Sequence, residues 1–200
     1  MPNKGEEITK DRIGFEKSNK ALGYIYKEWY ELISNFISEK EGINIELGCG
    51  ASFIDQINKS IKKTDVFLNS NTDFKLNAME IGQKFENKIS NLILVNVFHH
   101  ISDPVLFLKS AEKSLLPGGR IIMIEPSNNY WSRLVYKFVD HEPFDTEQSE
   151  WKFQSKDPLL DSNQALSWII FERDYEKFKN LFPMFSLIQK KNMMPFSYLL

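Results

Sequence analysis

The sequence predicts an α/β fold, a mostly parallel β-sheet with helices on both faces. Three stretches predict it. Ile43 to Leu47 is a short apolar-polar-apolar run that enters a glycine turn at Gly48-Cys49-Gly50, as a buried strand ended by a sharp bend does. Asn91-Leu92-Ile93-Leu94-Val95 is nearly all apolar, the composition of a parallel strand covered on both faces. Arg120-Ile121-Ile122-Met123-Ile124 repeats that composition after the turn Pro117-Gly118-Gly119. A helix-periodic segment from Pro104 to Leu115 separates these two runs, which is the order of a βαβ unit.

The chain has 200 residues, which on length alone predicts about one domain. Its formal net charge of −2, with arginine only at positions 12, 120, 133 and 173, gives no electrostatic footprint for nucleic acid and no arginine cluster for phosphates. Cys49 is the only cysteine, so no intrachain disulfide forms. In the glycine turn it serves as a small side chain or, on the sharper reading, as a nucleophile. Residues 1–12 are polar and lack the apolar segment of a signal peptide. No apolar run reaches the roughly 18 residues of a membrane span. The expectation is a soluble protein of the reducing cytoplasm, with no nucleic-acid partner.

From Ile13 to about Ser38 apolar and aromatic residues recur at spacings of three and four, predicting a helix that Gly14 and Gly23 divide in two. Gly42 ends the segment. After strand one, Gly48 and Gly50 remove side chains where backbone must bend and approach a ligand. Phe53 to Asn58 is expected to open a helix. A strand at 60–64 ends on Asp65, and another covers Thr72 to Leu76. The gap between them is shorter than the dozen or so residues a parallel crossover needs; either its helix is lost or the strand assignment slips. Ser90 to Asn96 is a buried strand. Asp103-Pro104 is an N-cap followed by a first helical proline. Pro117-Gly118 supplies a turn, and Glu125-Pro126 closes the next strand. From Ser127 to Trp151 the chain is aromatic and reads as a helix followed by a loop. Trp151 to Ser167 is loop-rich. Trp168 to Phe171 reads as a strand or a short buried turn, and Arg173 to Phe182 as a helix closed by Pro183. Phe185 to Lys190 and Phe196 to Leu200 read as strands six and seven. The chain stops on Tyr198-Leu199-Leu200 without a polar tail, as a truncated protein would.

The run Glu46-Leu47-Gly48-Cys49-Gly50-Ala51-Ser52 resembles motif I of the class I S-adenosylmethionine-dependent methyltransferases, E/D-x-G-x-G-x-G, with Ser52 in place of the last glycine. Asn96-Val97-Phe98-His99-His100-Ile101-Ser102-Asp103-Pro104 resembles the loop after strand four in the small-molecule branch of that family. Leu115-Leu116-Pro117-Gly118-Gly119-Arg120 resembles its next turn and strand. The resemblance covers residues 43 to 126. A looser likeness to a bacterial branch runs through Trp131-Ser132-Arg133, His141-Glu142-Pro143-Phe144 and Phe171-Glu172-Arg173-Asp174.

The resemblance implies a Rossmann-like sandwich on a seven-stranded sheet, its seventh strand antiparallel between five and six. Residues 1–42 would form a helical cap, 43–126 the cofactor-binding core, and 127–200 a substrate-side insertion plus the last strands of the same domain. S-adenosylmethionine would be held by Glu46, Gly48, Cys49, Gly50 and Asn96. Asp65 would accept both ribose hydroxyls, for which an acceptor-only carboxylate is suited; its other reading is an ordinary strand-end aspartate, and Asp73 competes for the role. Asn77, where the family commonly has aspartate, would take the adenine amino group through its amide oxygen, beside backbone of Ala78 and Met79. Of the two adjacent histidines one is expected to face the site, and His100 is preferred for substrate positioning or proton acceptance; hydrogen bonding to backbone is its other reading. Glu125 would bind substrate or accept a proton. Trp131, Tyr136 and Trp151 would line an acceptor pocket, unless they are core. The acceptor would be a small molecule, a sugar or a lipid-linked intermediate, since the Asn-Pro-Pro-Tyr signature of nucleic-acid amino-methylation is absent. A metal site lacks ligands, because only His141 remains as a further imidazole. Two alternatives stand beside this one: a nicotinamide-dependent oxidoreductase, against which the missing third glycine counts, and a non-catalytic binding protein on the same fold. Oligomeric state is not legible.

Overall fold

The computed structural model describes residues 13–15, 18–56, 58–130, 132–133, 143–157 and 161–193. In chain order its elements are α1 (Lys20–Ser34), β1 (Ile43–Leu47), β2 (Lys62–Asp65), β3 (Phe74–Lys75), α2 (Ile81–Lys84), β4 (Ile89–Val95), α3 (Pro104–Ser114), β5 (Leu115–Ile124), α4 (Leu166–Trp168) and α5 (Tyr175–Leu181). The strands form one sheet in the order β3-β2-β1-β4-β5, and every pairing is parallel. The order reverses between β1 and β4. At such a switch point the connections leave in opposite directions and open a crevice at the carboxyl ends of the strands.

Period-two alternation sorts the core. Ile45, Leu47, Leu92 and Leu94 pack on one face against Phe107, Leu108 and Ala111 of α3 and against Ile169 and Phe178. Ile93 and Val95 point the other way, to Tyr30 and Ile33 of α1. All of β4 is buried, which is why its sequence does not alternate. Glu46 falls on the α1 face of β1, between Ile45 and Leu47.

α1 begins later than its apolar pattern. Asn19 ends the preceding turn, its side-chain oxygen accepting the N–H groups of Ala21 and Leu22 at 3.0 and 3.2 Å, the bonding of an N-cap. The helix then runs through Gly23 without a break. The break expected at that glycine is absent because the cap, not the weakest residue, sets the boundary.

The expected helix after the glycine turn is reduced to one 3₁₀ turn, Ile54–Gln56. The face it would cover is already taken: Ile54 and Ile61 pack with Tyr30 and Ile33 of α1. Between β2 and β3 the crossover helix is lost, and the register does not slip: Thr64 pairs with Phe74 and Asp65 with Lys75. The short connection folds onto the glycine turn instead. Asn71 Nδ2 donates to the carbonyls of Gly50 and Ala51 at 3.1 and 2.8 Å. In β5 the turn expected at 116–119 is a bulge inside the strand: Ile89 pairs with Leu115, but Asn91 pairs with Arg120.

Among the described residues the sheet has five strands, not seven. Phe185 to Lys190 forms no strand. Phe185 stacks on Phe178 and packs at a tilt against Phe182, while Leu187 and Ile188 are exposed. Phe196 to Leu200 lies outside the described residues. Trp168 to Phe171 is helical, spanning α4 and a π turn at Ile169–Arg173. Trp151 is a core residue, 2% exposed, with its indole N–H donating to Asp174 Oδ2 at 2.7 Å. No helix among the described residues is long and apolar enough to cross a membrane.

Candidate functional site

A cavity of about 440 Å³ opens at the switch point, within the roughly 300–1,000 Å³ of small-molecule sites. Its walls come from β1 and the glycine turn, the end of β2, the Asn77–Met79 turn, the loop after β4, and Tyr26 and Tyr30 of α1.

The glycine turn is shaped by two left-handed residues, Gly48 at φ +61° and Gly50 at φ +48°. The two positions differ in surroundings. A Cβ on Gly48 would lie 2.7 Å from Val97 Cγ2, whereas nothing lies within 4 Å of one on Gly50. Gly48 is therefore required by packing against the β4 loop, and Gly50 faces open cavity. Cys49, between them, is buried. Burial, and then the nearby charges of Glu46 and Asp65, push its thiol well above the usual range. It stays protonated, which removes the nucleophile reading, because the thiolate is the reactive form.

Glu46 is 1% exposed. One carboxyl oxygen accepts the Tyr30 hydroxyl and the other the Ser52 hydroxyl, at 2.6 Å. No ion pair with it exists among the described residues. Burial pushes its carboxyl up to about 7, against the two hydroxyl bonds that lower it. An ordinary glutamate ionises near 4.3 in an unfolded chain, so above that pH the unfolded chain loses its proton first. Glu46 is thus neutral at no cost below about pH 4, and the fold is progressively destabilised as pH rises to about 7. Glu46→Gln removes that penalty and keeps acceptor contact with Tyr30. The variant should match wild type at pH 4.5 and exceed it at pH 8 by about 3 kcal/mol, from 1.36 kcal/mol per unit. Chemical denaturation at both pH values checks this; equal gaps would refute it.

Asp65 closes β2 and is 8% exposed. Its Oδ2 accepts the Gly50 N–H and its Oδ1 the Phe67 N–H, both at 3.1 Å. Burial raises its carboxyl above the ordinary range, and the backbone bonds oppose that. The carboxylate keeps acceptor capacity beyond these backbone bonds. Asn77 lines the cavity with Ala78 and Met79. Its amide oxygen, expected to meet an adenine amino group, accepts the Met79 N–H at 3.0 Å and caps the Ala78–Glu80 turn. Asn96 also lines the cavity, at φ +54°, a left-handed conformation that asparagine tolerates better than most residues.

The histidine loop departs from expectation in two ways. Both His99 and His100 line the cavity, with ring centroids 4.3 Å apart, because one 3₁₀ turn, Phe98–His100, carries both. Glu125 pairs with His99, the histidine not preferred for the site. His99 Nδ1 and Glu125 Oε2 are 2.7 Å apart, with both side chains nearly buried. An ionised carboxylate only accepts, so Nδ1 carries the proton. Glu125 Oε1 accepts the N–H groups of Val97 and Phe98 at 2.9 and 2.7 Å. Glu125 is not in the cavity wall. With both oxygens engaged by the loop, it is a brace for His99 and not the free proton acceptor expected.

Sequence reasoning missed His99, Tyr30, Ser155 and Gln164, all of which line the cavity. The C-terminal segment reaches it through two backbone bonds, Asn163 N–H to the His99 carbonyl and Phe153 N–H to the Ser102 carbonyl, each at 3.0 Å. No local pattern announces such long-range bonds. Trp131 and Tyr136, expected in an acceptor pocket, lie outside the described residues, as does His141.

No protein-family profile matches the chain, and no curated protein sequence does. Thirteen solved chains match it in structure. One is the selenomethionine-substituted CurJ carbon methyltransferase, 18% identical, with a TM-score of 0.45 over 62% of this chain and 40% of that one. This chain therefore spans less than half the length of that protein.

Proposed function

We propose that the cavity binds S-adenosylmethionine and that the chain transfers its methyl group to a small-molecule, sugar or lipid-linked acceptor. The observation that carries this reading is the charge of the wall. Glu46 and Asp65 line the cavity, and none of the described residues in its wall is a lysine or arginine. Such a wall favours a cation and repels a phosphate. A dinucleotide would also need the helix N-terminus that usually receives its pyrophosphate, and only a 3₁₀ turn follows Gly50. That favours the sulfonium cofactor over NAD.

When bound, S-adenosylmethionine supplies a methyl group on a positively charged leaving sulfur, open to in-line attack. Asp65 offers its acceptor capacity to the ribose hydroxyls and is held in place by the glycine turn it serves. Ala78 and Met79 line the adenine end. Gly50 leaves room for the cofactor's amino-acid part, next to Glu46 and Asn96. His99 accepts the acceptor's proton, and Glu125 holds its ring in one tautomer and stabilises the imidazolium that forms. A base this well supported fits an acceptor whose reacting oxygen or carbon must lose a proton; an amine already carries its lone pair. The two partners must otherwise be held in line and kept from water.

Calorimetric titration tests the assignment. S-adenosylmethionine should bind in the micromolar range and NAD should not. Asp65→Ala should weaken binding by about 10–100-fold, the loss of hydrogen bonds to a charged group. Binding of neither ligand, or unchanged affinity in the variant, would overturn the reading.

A further inference from the structure

We propose that a cationic ligand enters this cavity in exchange for a proton from Glu46, so that binding of S-adenosylmethionine is coupled to proton release. This rests on the cofactor reading above. The geometry points to it in three steps. First, Glu46 is almost completely buried yet lines the cavity, so an occupant can reach the carboxyl that bulk water does not. Second, its polar partners among the described residues are two neutral hydroxyls, Tyr30 from α1 and Ser52 from the glycine turn. Two hydroxyls satisfy a neutral carboxyl, since each can donate or accept, but they leave a buried carboxylate short of a counter-charge. Third, the charges of the described residues around it do not supply one.

Those surroundings can be named element by element. α1 contributes Tyr26 and Tyr30, and burial beside Glu46 pushes the Tyr30 phenol upward, so it remains a neutral donor. The glycine turn contributes the protonated Cys49. The 3₁₀ turn contributes Asp55 and β2 contributes Lys63, and these two are ion-paired with each other. Asp65 and Asp73 add negative charge to this end of the sheet. The β4 residues on this face, Ile93 and Val95, are apolar. The one cation among these described residues, Lys63, is thus already matched. A ligand carrying an ammonium or a sulfonium would provide what the fold withholds. The carboxyl would then give its proton to solvent and keep both hydroxyl bonds, now as a pure acceptor. Because Tyr30 belongs to α1, the same event strengthens the tie between α1 and β1.

Titration calorimetry in two buffers of different ionisation enthalpy that both buffer near neutrality, phosphate and imidazole, counts the protons released. With S-adenosylmethionine at pH 6 the count should be about 0.9, and it should fall to about a quarter at pH 7.5, below the range in which the ligand's own amine titrates, as expected for a carboxyl half-titrated near 7. The dissociation constant should improve about eightfold from pH 6 to pH 7.5, the change in the ionised fraction. Adenosine, which has neither cation, should bind without proton release. S-adenosylhomocysteine keeps the ammonium but not the sulfonium, and release with it assigns the exchange to the ammonium. Glu46→Gln should abolish release. Tyr30→Phe should keep it but move the midpoint to higher pH, because one bond that favours the carboxylate is gone. Binding of S-adenosylmethionine without release, release that survives in Glu46→Gln, or equal release with adenosine would overturn the proposal while leaving the cofactor reading intact. Absence of S-adenosylmethionine binding at every pH would overturn both.

Discussion

On the proposed reading, His99→Ala should lower the rate of methyl transfer by about 10²–10⁴-fold, the usual contribution of a positioned general base, equivalent to roughly 3–5 kcal/mol of transition-state stabilisation. The fold should survive, because α3, the sheet and Glu125 keep their own packing. Glu125→Gln separates chemistry from structure. Glutamine retains the oxygen that takes the Val97 and Phe98 N–H groups, so the loop stays tethered. Its amide nitrogen replaces the oxygen facing His99 Nδ1 at 2.7 Å. An amide N–H there donates to Nδ1 and drives the imidazole proton to the other nitrogen, which can no longer accept one. Glu125 is a positioning residue, so the decisive readout is the split between constants. With an acceptor found by screening labelled cofactor, kcat should fall by a factor near that of His99→Ala, with the cofactor KM nearly unchanged and the melting temperature close to wild type. His100→Ala should lose far less. A large kcat loss in His100→Ala with little in His99→Ala would reverse the assignment and restore His100 as the base.

That pair of histidines marks where the sequence stops being informative. β1, β4 and β5 were legible because they are apolar runs between turn residues; the cavity walls at Gly48, Gly50 and Asn96 follow from where β1 and β4 end, and those at Asp65 and Asn77 from the ends of β2 and β3. Asp65 in particular needs only the end of β2, a local feature. The choice between His99 and His100 depends on Glu125, a neighbour on the next strand, and on a 3₁₀ turn that local propensity does not separate from a loop. Glu46 shows the same limit: its place in the glycine motif is plain, but its partner Tyr30 comes from a helix before the sheet. The helices fail differently. The one expected after Gly50 is read from a strand–turn–helix pattern, whereas α1 already covers that face, so the chain continues as one 3₁₀ turn; after Asp65 the gap is too short for a crossover helix, and none forms. Apolar pattern reports that a face is buried; it does not report which segment buries it.

Gly48→Ala should destabilise the protein by about 2–5 kcal/mol, combining the left-handed penalty of roughly 1–2 kcal/mol with overpacking of roughly 1–3 kcal/mol. The overpacking is specific: the new methyl would meet Val97 Cγ2 at 2.7 Å and Cγ1 at 2.9 Å, but Val97 Cβ at 3.4 Å. Val97→Ala removes the two close atoms and leaves an ordinary contact. In a double-mutant cycle the pair should therefore recover the steric part and keep the left-handed part. Gly50→Ala is the matched control. Its φ of +48° costs a similar backbone term, but nothing stands within 4 Å of the added methyl, so its stability loss should be about 1–2 kcal/mol. The methyl would instead occupy cavity, and the loss should fall on cofactor affinity. Two glycines one residue apart thus answer to different demands. Gly48 lets the glycine turn pack against the loop that carries His99, and Gly50 keeps space for what binds there. Denaturant titration of both variants with calorimetric titration of Gly50→Ala decides the matter: a larger stability loss at Gly50 than at Gly48, or no coupling between Gly48 and Val97, would show that the turn and the histidine loop are not in the contact described.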